Sequence, residues 1–237
     1  MDAEKKPGIG RIVALFEVVL CSDFPTQLAV GAVLNVAGLR PMTAGALSLR
    51  YIVYLSLIDT VLLVGLIVFF LRSHRERVRD VLFGSRSWLR EAELGIPLVA
   101  GAFVVAIAVI SLARLLVPAL HNLERNPLED VIHGRLQAAL FGVVVVVAGG
   151  VREEVQRAFI LHRFDVWLGG PAVGLIVSSA LFGLGHKLQG NDVAIATGAL
   201  GLYWGAIYLR RRSCVAPMVS HAGFNLIELL QFFVTGR

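Results

Sequence analysis

The sequence predicts an all-α fold, a polytopic transmembrane helical bundle, on three observations. Of 237 residues, 57% are hydrophobic and only 16% charged, and the mean hydropathy of +0.75 is far above that of a water-soluble domain. The apolar residues come in runs close to the roughly 20 residues that cross a bilayer as a helix, a form that satisfies its own backbone groups in lipid. Basic residues gather at the ends of these runs and form no patch interleaved with aromatics. The net charge of +5 therefore sets membrane topology and gives no sign of a nucleic-acid partner.

Seven spans are expected in order. Ile12 to Leu39 comes first, interrupted by Asp23 and Pro25, which either break it or lay part of it in the interface. Ala46 to Leu71, Leu94 to Leu120, Leu136 to Leu161, Pro171 to Leu188, Val193 to Leu209 and Cys214 to Val234 follow, each an apolar run of membrane-crossing character. Residues 1–93 hold the first two spans and a basic loop, and 94–237 hold the remaining five. The opening "MDAEKKPGIG" resembles a short charged leader, but Glu17, Asp23 and Pro25 interrupt the apolar stretch and no cleavage pattern follows it.

Arg72, Arg75, Arg77, Arg79, Arg86 and Arg90 lie between the second and third spans, and Arg210, Arg211 and Arg212 between the sixth and seventh. Both loops read as cytoplasmic, and Lys5, Lys6 and Arg11 put the N-terminus on the same side, in the cell (inner) membrane. Alternation places the loop at Arg163 inside as well, and the connections near Arg40, Asn122 and Asn191 outside. Cys21 and Cys214 match no metal or redox spacing and read as buried thiols.

Most ionisable residues have structural explanations. Arg50 and Arg114 lie towards span ends and snorkel; Asp59, alone in mid-span, is a hydrogen-bonded packing group. His74, His121, His133 and His162 fall in loops or at helix ends, where a solvated ring is the default. Three groups resist that reading.

In "VREEVQR", at about 100° per residue, Arg157 projects roughly 40° from Glu153 and 60° from Glu154, so the three share a face while Arg152 points elsewhere. One arginine does not fully neutralise two carboxylates, and a surplus buried carboxylate suits a general base or a metal ligand. The second group is "FGLGH", Phe182 to His186; the third is "HAGFN", His221 to Asn225, whose spacing puts imidazole and carboxamide on one face, with Glu228 on the same stripe. At about 1.5 Å per residue these groups reach similar membrane depths, which points to one shared polar cavity, open to the cytoplasmic side.

Through these residues the sequence resembles the CPBP (CAAX prenyl protease, or Abi) family of intramembrane proteases, marked by Glu-Glu followed by Arg, then Phe-x-x-x-His, then His-x-x-x-Asn or Asp. The second and third motifs match in full at Phe182 with His186 and at His221 with Asn225, and the likeness covers about 136–234. The family usually has three residues between the second Glu and the Arg; Glu154 and Arg157 enclose two. Either glutamate therefore remains open as the base, with Glu153 favoured by alignment. The resemblance implies a membrane-embedded endopeptidase in which Glu153 and His186 activate a water and His221 and Asn225 stabilise the oxyanion, with Glu154 also among the catalytic residues and Arg157, Phe182 and Glu228 in supporting places. It also allows zinc on Glu154, His186 and His221; the family has been described in both ways, and the resemblance favours the metalloprotease reading slightly. The implied substrate is a membrane-associated peptide, such as a prenylated C-terminus or a leader peptide, with membrane lipid as the other partner. A proton-coupled transporter and a non-catalytic scaffold or immunity protein are the alternatives; the absence of repeated halves speaks against the first, and only the altered spacing speaks for the second.

Overall fold

A computed structural model describes residues 10–43, 46–124, 126–128, 131–132 and 134–235. Lys5, Lys6 and His133 lie outside the described residues. The described chain is helical nearly throughout. The first expected span forms two helices, α1 (Arg11–Leu20) and α2 (Phe24–Val36), bent by 41°. The break is where Asp23 and Pro25 placed it: Asp23 takes a left-handed φ of 71°, and Pro25 sits in the first turn of α2, where its missing N–H costs no helical bond. A small antiparallel hairpin, Met42–Thr43 with Ala46–Leu47, then leads into α3 (Leu49–Ser73). The side chain of Ser48 caps α3 by accepting from the Tyr51 N–H.

The rest comprises α4 (Val78–Leu82), α5 (Trp88–Leu116), α6 (Arg135–Val144), a π-helical segment (Val145–Arg152), α7 (Glu153–Trp167), α8 (Pro171–Gly185), α9 (Asn191–Arg211) and α10 (Val215–Thr235). The expected count of seven spans is not confirmed. Among the described residues three helices, α3, α5 and α9, are long and apolar enough to cross a membrane, or four spans if the bent pair counts as one. The other expected runs do fold as helices, but α8 has only 15 residues. The rod 135–167 carries Arg152, Glu153, Glu154, Arg157 and Arg163, and α10 exchanges apolar residues for Ser220, His221, Asn225 and Glu228.

The two ends of the bundle differ in charge. At one, Arg163 bonds Glu17 and Glu76, each at 2.6 Å, and Arg211 and Arg212 bond Glu91 and Asp165. There Cys214 donates its backbone N–H to Leu82 and the Tyr208 hydroxyl donates to Val81, which ties α9 and α10 to α4. Leu63, Ile67, Leu71, Phe159 and Leu161 form the dry core just inside this end, beside the buried thiols of Cys21 and Cys214. At the other end Arg114 and His121 both reach Asp192, at 2.8 and 2.9 Å, and Asn122 accepts from the Asn191 N–H.

These contacts correct the reading of the isolated charges. Arg114 is held by a buried aspartate and does not merely snorkel. His74, His121 and His162 lie beside Glu17, Asp192 and Glu76 instead of being simply solvated.

Candidate active site

The π-helical segment Val145–Arg152 ends where the Glu-Glu motif begins, so Glu153, Glu154 and Arg157 all lie in the regular first turns of α7 while Arg152 belongs to the wider turn before them. Two glycines bring this segment against α10. A Cβ on Gly149 would stand 2.5 Å from Asn225 Nδ2, and one on Gly150 would stand 2.6 Å from the Ala222 Cβ. Only glycine permits that approach, and through it the first and third motifs meet.

Behind the site lies a buried ion pair. Arg157 donates to Glu154, and its guanidinium lies 4.6 Å over the Phe182 ring and 5.8 Å from that of Trp204. The same Glu154 Oε1 lies 2.9 Å from His221 Nδ1. A carboxylate only accepts, so the proton of the ring is assigned to Nδ1 and Nε2 is left towards Glu153, 3.8 Å from its Oε2. Trp204 stacks on His221 with centroids 3.8 Å apart and planes 17° apart, and its Nε1 donates to Ser220. Phe182 meets the imidazole edge-on from another side. The ring of His221 is thus fixed in position and rotation.

Glu153 belongs to a different network, which corrects the expectation that Arg157 serves both glutamates. Its partner is Arg152, at 3.4 Å. Arg152 in turn donates to Asp59 on α3 at 2.7 Å and to Asp23, at the break before α2, at 2.5 Å. Asp59, read as a packing group, is a counter-ion of the residue next to the motif. Sequence reasoning missed this link and the stacked Trp204. The available signal was an arginine and two aspartates at similar depth in three apolar runs.

A cavity of about 550 Å³ joins the three motifs: Glu153, His186, His221, Asn225 and Glu228 all line it, with Arg152 and Trp204 at its deep end. Glu153 faces this space with 13% of its side chain exposed; Glu154, at 1%, does not line it. His186 Nδ1 lies 2.8 Å from the Phe182 carbonyl, which assigns the proton there and leaves Nε2 as an acceptor. Among the described residues no hydrogen bond or ion pair joins His186 to either glutamate. Asn225 spends one amide hydrogen on the Val145 carbonyl, at 3.3 Å.

The zinc set does not assemble in this arrangement. Among the described residues no three His, Cys, Asp or Glu side chains form a metal-holding group. Glu154 keeps one buried oxygen, Oε2, without a hydrogen-bond partner, while Oε1 is shared by Arg157 and His221.

A helical bundle whose acid, imidazole and amide groups share one internal cavity is an arrangement able to support acid–base chemistry. Residues 135–227, from α6 into α10, match the family model described as Rce1-like, "Type II CAAX prenyl endopeptidase Rce1-like". Over these residues the chain is similar to that family, within the CPBP proteases, and the match supports a CAAX-type intramembrane protease in general terms. No curated protein and no solved structure matches the chain.

Proposed function

We propose that this chain hydrolyses a peptide bond in a membrane-associated substrate, with Glu153 as the general base. The observation that carries this reading is the division of labour between the adjacent glutamates: Glu154 is sealed behind His221 by Arg157, whereas Glu153 faces the cavity beside His221, His186 and Asn225.

Glu153 takes a proton from a water that also hydrogen-bonds the Nε2 acceptor of His186, and the resulting hydroxide attacks the scissile carbonyl. A positioned base of this kind is worth about 10²–10⁴ in rate. The second amide hydrogen of Asn225 points its charge at the developing oxyanion, a contribution of about 10²–10³. His221, anchored at Nδ1 by Glu154, offers Nε2 to carry the proton from Glu153 to the departing amine.

The test is cleavage of prenylated and unmodified peptides by the detergent-purified protein, with and without chelator, against Glu153→Gln, Glu154→Gln and His186→Ala. Loss of activity in Glu153→Gln supports the mechanism, and cleavage that survives loss of both glutamates ends it. Ion flux in proteoliposomes that vanishes in Glu153→Gln while no peptide is cut would assign the cavity to transport instead.

A further inference from the structure

The direction in which the cavity opens limits where its substrate can be. Its lining is displaced towards one end of the long helices that contribute. On α9 it uses Val193, Thr197 and Leu200 and ends at Trp204, seven residues before Arg211; on α10 it starts only at His221. On α5 it uses Ala106, Ile110 and Arg114, all in the C-terminal half. No lining residue comes from the arginine-rich end that joins α3, α4 and the start of α5 to the ends of α7 and α9. The deep end is closed by the buried residues Arg152, His221 and Phe224. The far end carries Arg114, His121, Glu124, Asn126 and Gln189, of which Arg114, His121 and Glu124 are exposed. Phe159 and its dry core stand between the site and the arginine-rich end.

The cavity therefore opens away from the arginines, contrary to the expectation that it opens on their side. By the positive-inside rule the arginine-rich end is the cytoplasmic one. Resting on the proposed peptidase function, we infer that the site is entered from the opposite, extracytoplasmic face, and that the substrate class is a peptide segment held at the outer leaflet by a lipid or an apolar stretch. The chemistry of the cavity fits such a substrate. Polar side chains at the mouth, Asn126, Gln189 and His121, can meet the backbone of an extended peptide, while Ile52, Phe141 and Leu229 give the deeper wall an apolar face for its anchor.

Two measurements test this on the full-length protein. Native Cys21 and Cys214 are buried, so single added cysteines report location. In spheroplasts of the expression host, a membrane-impermeant maleimide is expected to label Lys187→Cys, exposed in the turn between His186 and Gln189, and Thr197→Cys in the cavity, and to label Ser85→Cys at the arginine-rich end only after permeabilisation. The reverse pattern overturns the inference. In the second measurement a lipidated fluorogenic peptide is added to one side of sealed, oriented proteoliposomes. Cleavage is expected to hold at its detergent rate when the peptide is on the mouth side and to vanish when it is on the other; cleavage confined to the arginine-rich side refutes the orientation and leaves the peptidase reading intact. A protein that cuts no peptide even in detergent refutes the peptidase reading, and the labelling pattern still decides which face the cavity serves.

Discussion

Glu154→Gln isolates the role of the sealed glutamate. The substitution keeps the shape and an oxygen for His221 but removes the only carboxylate paired with Arg157 among the described residues; Arg157 is 5% exposed and clasped between Phe182 and Trp204. Removing one member of a buried pair leaves an uncompensated charge and costs about 3–5 kcal/mol, whereas replacing both members with groups of similar volume is often neutral. Glu154→Gln should therefore lower the unfolding temperature in detergent by on the order of 10 °C, taking roughly 2–4 °C per kcal/mol for a chain of this size. Adding Arg157→Met should recover most of that loss. Activity should stay low in both variants, because His221 has lost the carboxylate that fixes its tautomer. The assay is a double-mutant cycle on thermal unfolding, run alongside peptide cleavage. Additive losses, with the double variant less stable than either single one, would refute the idea that Glu154 and Arg157 act as a pair.

Glu153→Gln should reduce kcat by about 10²–10⁴ with little change in unfolding temperature, since Arg152 keeps Asp59 and Asp23; a large stability loss in thermal unfolding would reassign Glu153 to structure. Replacing Asp23 and Asp59 together by asparagine should destabilise by about 3–5 kcal/mol, far more than either alone, as read from the same unfolding curves. Gly150→Ala should cost about 1–3 kcal/mol by overpacking, because its Cβ meets Ala222 at 2.6 Å, and should depress kcat/KM by shifting Glu153; unchanged kinetics would show that the π-helical segment tolerates a wider spacing. Burial alone would raise the carboxyl of Glu76, in the loop after α3, but hydrogen bonds from His162 and Arg163 outweigh burial and hold it below its ordinary 4.5. Its stabilising contribution is thus present above pH 4.5 and lost as the pH falls through the lower folded value; Glu76→Gln should flatten the acid limb of a stability profile measured in detergent.

The sequence revealed the membrane class and the three motifs because both rest on patterns that survive without coordinates: long apolar runs, and polar residues at spacings of one helical turn. It also located the break at Asp23 and Pro25, where backbone chemistry is local. It did not reveal the partners of the buried charges. Arg152 reaches Asp59 across 93 positions of sequence, and no local spacing encodes such a pairing. The sharing of Arg157 by two glutamates failed for a different reason: a helical wheel gives angular proximity but not competing partners, and Glu153 is taken by Arg152 while Arg157 turns to Glu154. The span count is not confirmed, because α8 is only 15 residues long and the polar residues of α7 and α10 lower the apolar character of their helices. The altered Glu–Arg spacing still joins Glu154 to Arg157, at i and i+3, so the shortened motif does not by itself argue for a silent scaffold.

Trp204 makes the site optically addressable. Indole emission is quenched on contact with a protonated imidazole, and here the two rings lie 3.8 Å apart and nearly parallel. The chain has only three tryptophans, so with Trp88 and Trp167 exchanged for phenylalanine the remaining fluorescence would follow the charge on His221 directly. Titrations and stopped-flow mixing could then watch the resting centre change state before any cleavable molecule is known.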